Sequence, residues 1–327
     1  ENVKRSFLAR LQVPFLVANL YRFARKFGKD YDIIHANWSI AGIAGMLAAG
    51  ALGKPFILTM HGAEVFTLGY HPVIALLLSR TPTLVVNSSY TLNTIRSKYQ
   101  LNDIETHIIP FGANYEFGNT YDYQREEFFR EELGISSDSK VLFSLGRLVE
   151  RKGHIYLLEA FHRLSERHPE LHLVIGGKGP EQAKLDDYIR NHNVPRVHFI
   201  EFIPEEKLPY YYANAFVFVL PAIIDSDGDT EGLGVVNIEA MSYGTPVIST
   251  NAGGIVDVVK PDRTGILVEQ KDPEALAGVV ERLLNDETLR RRLAEQGREY
   301  VRNHFSWDSI AEEYAELYSR IKQHNGN

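Results

Sequence analysis

The chain contains no cysteine. That absence excludes disulfides, thiolate-ligated zinc or iron–sulfur centres and cysteine nucleophiles, and it fits a reducing cytoplasmic setting. It also lacks an excess of basic charge: 35 Lys+Arg against 42 Asp+Glu leave a net charge of −7. A general nucleic-acid binder needs a net basic surface, so no nucleic-acid partner is expected. No long hydrophobic run is present. The longest, residues 40–52, falls short of the roughly 20 residues that span a bilayer and is rich in Gly and Ala. The beginning of the chain has no signal-peptide pattern. What remains is 327 residues, 44% hydrophobic and 24% charged, ordinary for a globular protein and enough for two domains at roughly 150 residues each.

The first segment is helical by spacing: Phe7, Leu8, Leu11, Phe15, Leu16, Leu20 and Phe23 recur on one side, with Pro14 as a predicted kink. Seven basic residues (Lys4, Arg5, Arg10, Arg22, Arg25, Lys26, Lys29) stand against one acid. The plainer reading is a core-facing helix with a solvated basic side. The other is a peripheral contact with anionic lipid, which places the protein on the inner face of a membrane.

Short apolar runs then alternate with helical patterns. Strands are predicted at 33–35, 55–60, 83–87 and 107–110. Residues 114–139 are polar and turn-rich, a linker carrying a short helix. The alternation restarts with strands at 141–145, 171–175, 197–200, 215–220, 246–249 and 266–268, and ends in helices at 273–284, 287–302 and 307–321. The class is α/β, with parallel sheets covered on both faces, two Rossmann-like domains and a cleft between them. The expected division is 1–118, 119–305, and a final helix at 306–327 that crosses back to the first domain. No glycine-rich strand-to-helix turn opens the first half, so that domain is expected to be incomplete.

Three stretches carry chemistry. In the block running from Asp225 through Glu231 to Pro246, an acidic loop leads through Gly232, Leu233 and Gly234 into a helix starting near Val235. Exposed amides at a glycine-flanked helix start receive an anion such as a diphosphate. Glu231 and Glu239 are eight residues apart, about 12 Å along one ideal helix. With Glu231 in the loop, the two carboxylates instead flank one ligand and accept hydrogen bonds from vicinal hydroxyls. A solvated acidic loop with a surface glutamate is equally open. In the second stretch, Gly146, Arg147 and Lys152 follow a strand end, where two cations suit a diphosphate leaving group; ordinary exposed loop cations are the alternative. In the third, His61 follows another strand, either as a hydrogen-bond donor to substrate or as a structural histidine. Gly176-Gly177-Lys178-Gly179-Pro180 is either a weak phosphate loop or a tight turn. Asp225, Asp227 and Asp229 start like a calcium loop, but no Glu follows at the required spacing, so no metal is expected.

The order GRLVERKG, VIGGKGP, EGLGVVNIEAMSYGTPVIST, NAGGIVDVV and TGILV resembles the retaining nucleotide-sugar glycosyltransferases of family 4, which adopt the GT-B fold. The likeness covers the second half and most of the first from Asp32. It implies a hexosyltransferase moving sugar from a nucleoside-diphosphate donor to a glycan or lipid-linked acceptor, without cofactor or metal. The DGDTEG stretch is similar to that of polysaccharide-building enzymes. By resemblance, Arg147 and Lys152 grip the pyrophosphate and Glu239 the ribose. Glu231 stands beside the transferred sugar, and His61 approaches it from the first domain. Gly146 and the amides of Gly232, Leu233, Gly234 and Val235 contact the donor, and Ile203 lies near the base.

Two positions depart from the family. Val256-Asp257 stands where the family usually has Pro-Glu, and by the resemblance the family's N-terminal strand and glycine-rich loop are expected to be missing. The resemblance then implies donor binding with weakened transfer, an uncovered sheet edge, and self-association or a complementing N-terminal fragment. A non-catalytic nucleotide-sugar-binding module and a nucleotide-sugar 2-epimerase are the alternatives. A dehydrogenase lacks the GxGxxG fingerprint.

Overall fold

The computed structural model describes residues 7–66, 70–101, 104–113 and 126–325. The chain divides into two compact units, Glu1–Pro110 with Ala311–Asn327, and Phe111–Ile310.

The first unit opens with α1 (Phe7–Phe27), which continues as helix through Pro14. Four parallel strands follow in chain order: β1 (Ile34–Asn37), β2 (Phe56–Met60), β3 (Thr83–Val86) and β4 (Glu105–Ile108). Between them run α2 (Ser39–Leu52), α3 (Pro72–Leu78) and α4 (Ser89–Lys98). β2 and β3 are buried along their whole length. Their near-continuous apolar sequences are those of parallel strands covered on both faces. Ser88 caps α4, its Oγ accepting from Thr91 N at 3.1 Å. The fourth strand is a correction: it lies at Glu105–Ile108, not 107–110. Pairing of Thr83–Val86 with Glu105–Ile108 sets that register. Ile109 still donates to Val86 O, and Pro110, with no N–H, cannot extend the ladder.

The second unit holds six parallel strands: β5 (Lys140–Leu145), β6 (Leu171–Gly176), β7 (Val197–Ile200), β8 (Val217–Leu220), β9 (Val247–Thr250) and β10 (Ile266–Val268). Their spatial order is β10-β9-β8-β5-β6-β7. This is the doubly wound order in which direction reverses between β5 and β8. Alternate residues of β5 feed opposite cores. Phe143 packs with Tyr211, Tyr212, Phe218 and Met241, and Leu142 with Leu157, Phe161 and Leu276. The reversal places the segments after β5 and β8 side by side at the C-terminal sheet edge, where open α/β sheets hold ligands.

The helices of this unit are α5 (Glu126–Leu133), α6 (His154–Ser165), α7 (Gln182–His192), α8 (Leu208–Asn214), α9 (Val235–Ser242), α10 (Ile255–Val258), α11 (Pro273–Asn285) and α12 (Glu287–His304). α8 and α10 were not expected from spacing. The expected linker carries α5, and its residues 114–125 lie outside the described residues. The last helix, α13 (Trp307–Asn325), begins in the second unit, and its residues from Ala311 belong to the first. There Tyr318 Oη lies 2.7 Å from His35 Nδ1, while His35 Nε2 meets Thr59 Oγ1 at 2.7 Å.

Candidate functional site

Beyond β5 the chain passes Gly146 and the exposed Arg147 and makes a 3-10 turn, Glu150–Lys152. Beyond β8 comes the acidic loop, folded on itself: Asp225 Oδ1 accepts from Asp227 N at 3.0 Å and Asp229 N at 2.8 Å. The two segments meet at Glu231. Arg151 Nη1 donates to Glu231 Oε1, and Lys152 Nζ lies 3.2 Å from the same oxygen. Arg151 also donates to Thr230 O at 3.3 Å and stands 3.5 Å from Asp229 Oδ2. Glu231 is 7% exposed and Lys152 8%, so neither the solvated-loop reading of Glu231 nor the surface-cation reading of Lys152 holds. A buried carboxylate of this kind persists only when paired.

Glycines make room for that pairing. A Cβ on Gly146 would fall 2.9 Å from Lys152 Cε, so the lysine stem lies against a bare backbone. Gly253, at φ 56°, would bring a Cβ to 2.1 Å from Glu231 O, and Gly254 N donates to that oxygen at 2.8 Å. The glycine pair in NAGG thus fixes the Glu231 backbone.

Gly234, at φ 78°, turns the chain into α9, and Leu233 is buried in the core beside it. Helix α9 begins at Val235, and the first amides of a helix have no intrahelical acceptor and carry its positive end. One turn on, Glu239 Oε2 accepts from Tyr212 Oη at 2.6 Å. Burial raises the Glu239 pKa; the Tyr212 hydrogen bond and the Lys152 charge pull it down, and the Glu205 charge pushes it up. Burial, then the Glu239 carboxylate, hold the Tyr212 hydroxyl well above its ordinary range. Tyr243 stacks on Tyr212 with centroids 5.7 Å apart. Around Glu239 lies a cavity of about 210 Å³ walled by Tyr212, Tyr243, Leu208, Val235 and Trp307, with Glu205 on its rim. A small amphipathic ligand with hydroxyls fits such a lining.

Ile203 packs in the core, against the backbone of Gly176. The Gly176–Pro180 stretch is a packing turn. A Cβ on Gly177 would sit 2.0 Å from Gly146 O, Gly177 N donates to Ile200 O, and Lys178 O accepts from Leu148 N.

His61 belongs to the first unit. Its Nε2 is 3.1 Å from Asn37 Oδ1, and its ring lies 4.5 Å from that of Trp38. Burial lowers its pKa, so the ring is neutral near pH 7. Trp38 is 48% exposed and holds φ 71°, ψ 150°, a region that residues other than glycine rarely adopt. Beside them, burial raises the pKa of Glu64, opposed by the amides of Glu64, His61 and Ser39.

Spacing missed Arg151, Tyr212, Trp38 and Asn37. Tyr212 lies 27 residues from Glu239, and only the doubly wound order brings them together. Among the described residues no group of three or more His, Asp or Glu is placed to hold a metal ion, and no helix is long and apolar enough to cross a membrane.

Residues 125–300 match the family described as Glycosyl transferases group 1, and residues 3–117 match Glycosyltransferase Family 4. A D-inositol 3-phosphate glycosyltransferase of Corynebacterium efficiens is 28% identical over 328 residues, covering 94% of this chain and 76% of the relative. The crystal structure of Anabaena Alr3699/HepE in complex with UDP superposes with a TM-score of 0.80 at 22% identity, over 93% of this chain and 82% of that one. Sucrose-phosphate synthase (tll1590) from Thermosynechococcus elongatus gives 0.76 at 27% identity, over 94% and 78%. The two parallel sheets are those of the two-domain GT-B glycosyltransferases.

Proposed function

The chain belongs to the glycosyl transferases group 1, and from that membership we propose that it moves a hexose from a nucleoside-diphosphate sugar to an acceptor hydroxyl with retention of configuration. One observation carries this reading. The second unit joins a buried cation, two carboxylates, a helix start and a cavity at the C-terminal edge of a doubly wound sheet. The relatives agree in kind: an inositol-phosphate glycosyltransferase by name, and a neighbour crystallised with UDP and with UDP-glucose. They do not favour the binding-module or epimerase alternatives.

In this reading Lys152, with Arg147 from the exposed strand end, neutralises charge on the departing diphosphate. Amides from Gly232 to Val235 donate to the phosphate oxygens. Glu239, oriented by Tyr212, takes the ribose hydroxyls inside the cavity, and Ile203 supports the base. Glu231 takes hydroxyls of the transferred sugar, and His61, neutral, donates to sugar hydroxyls. The anomeric carbon–oxygen bond to the diphosphate breaks and the acceptor oxygen bonds to that carbon on the same face. The acceptor proton passes to the departing phosphate oxygen, so no side chain need act as general base. No metal or cofactor is assigned a role.

We assign α1 a peripheral contact with anionic lipid at the cytoplasmic face of a membrane. Leu11, Phe15, Phe23 and Phe27 are exposed, and the helix has four basic residues and no acid. Flotation with anionic vesicles at low salt is the check, and absence of binding there ends that assignment.

The test of the transfer reading is product analysis. Incubation with UDP-glucose, GDP-mannose or ADP-glucose and a panel of glycan and lipid-linked acceptors should give an α-linked product by anomeric NMR coupling. Glu231→Ala should abolish it. A β-linked product, or an epimerised sugar without acceptor, would sink the proposal.

A further inference from the structure

Arg151 and Lys152 are adjacent in sequence, and both reach one oxygen, Glu231 Oε1. Their other partners differ. Arg151 is tied on every side: to Thr230 O at 3.3 Å, to Asp229 Oδ2 at 3.5 Å, and through its own carbonyl to Ile223 N at 2.9 Å. Lys152 lies along the bare face of Gly146, and its charge is felt at Glu239 as well as at Glu231. One cation is therefore clamped into the acidic loop, and the other pairs with Glu231 while its charge acts on Glu239. A guanidinium is suited to the clamp, since its planar fork bonds several acceptors at once and it stays charged. An ammonium on a flexible stem is suited to turning from one partner to another.

We propose that Arg151 is a positioning residue: it holds Glu231 through Oε1, leaving Oε2 to the sugar, and so keeps the Lys152 ammonium available to the diphosphate of the donor. This rests on the donor reading above. Without Arg151, Lys152 is the remaining ion-pair partner of Glu231 among the described residues, and a diphosphate must compete with that buried carboxylate for it. The effect should appear in nucleotide affinity although Arg151 itself does not touch the ligand.

The experiment is calorimetric titration of UDP, GDP and ADP into the full chain. In Arg151→Gln, the nucleotide that binds the wild type should bind at least ~10-fold more weakly, and Arg151→Lys should recover most of that loss. The decisive variant is the double one. In Arg151→Gln with Glu231→Gln, Lys152 is no longer held by Glu231, so affinity should return to within about 3-fold of wild type. A merely structural role for Arg151 predicts no such recovery, because the acidic loop stays unclamped. Wild-type affinity in Arg151→Gln, or a double variant no better than the single one, overturns this inference alone. No nucleotide binding by the wild type overturns the donor reading and this inference with it. Circular dichroism of each variant separates misfolding from lost affinity.

Discussion

The two units differ in how they hold buried polar groups. In the first, burial lowers the pKa of His61, takes His35 down to about 4, and raises that of Glu64. Burial thus favours the neutral form of each of these groups. In the second, Arg151, Lys152, Asp229 and Glu231 form a network of ion pairs, Lys152 and Glu231 almost fully buried. Neutral donors and acceptors suit sugar hydroxyls. A charged network suits a ligand that brings its own charge. On the proposed function, the contrast amounts to a division of labour, with the nucleoside diphosphate assigned to the second unit and uncharged hydrogen bonds to the first. Each unit also carries one of the chain's two tryptophans, Trp38 beside His61 and Trp307 in the cavity wall with Glu239. Single Trp→Phe variants thus report on either unit alone.

The sharpest contrast should appear in transfer rates. Lys152→Ala is expected to lower kcat/KM for the nucleotide sugar by about 100-fold, the scale of a lost charge stabiliser. His61→Ala should cost only about 10-fold, as for one neutral hydrogen bond. Steady-state kinetics with the preferred donor decide this, and equal losses would erase the difference between the units.

The next effect is on stability. Gly253→Ala places a methyl 2.1 Å from Glu231 O at a positive φ. We expect a cost of about 2–3 kcal/mol, read by urea unfolding of Trp38→Phe, in which Trp307 alone reports. An unchanged midpoint would show that the Glu231 backbone yields easily.

Acid should then weaken both units. His154, fully buried at the start of α6, is held near a pKa of about 3 by burial and then by the Lys152 charge. Its folded pKa is depressed, so its contribution is complete above about pH 6.5 and is lost as pH falls toward 3. Between pH 7 and pH 5 that amounts to about 2 kcal/mol, and His154→Leu should flatten the slope seen by Trp307. His35→Phe should flatten the slope seen by Trp38 in the same direction. A pH-independent midpoint in the wild type would contradict both assignments.

The smallest effect is that of Tyr212→Phe, which removes one hydrogen bond from Glu239. Nucleotide affinity should fall about 5-fold, on the scale of a single such bond. The binding should also become more sensitive to mild acid, because the Tyr212 bond no longer holds the Glu239 pKa down. No change in either would detach Glu239 from the nucleotide.

Most of the strands were legible because parallel strands buried on both faces leave continuous apolar runs, as in FILTM and VLFSL. Helix α8 was not, because its LPYYYAN sequence puts aromatics where no clean period shows, and α10 is a single turn. In the candidate site, glycines before a helix and the paired glutamates were visible as spacing. Their burial was not. Glu231 reads as part of an acidic surface loop until the chain order brings the segment after β5 against it. For the same reason sequence could not separate Arg151 from Lys152, which differ in what folds around them.

The central claim is that the second unit holds the nucleotide through Glu239. Calorimetric titration of UDP, GDP and ADP into the wild-type chain and into Glu239→Ala tests it most directly. The account predicts saturable binding of one nucleotide and at least ~10-fold weaker binding in the variant, the scale of a lost charge-assisted hydrogen bond. Equal affinity in the two proteins, or no heat with any of the three, would contradict it.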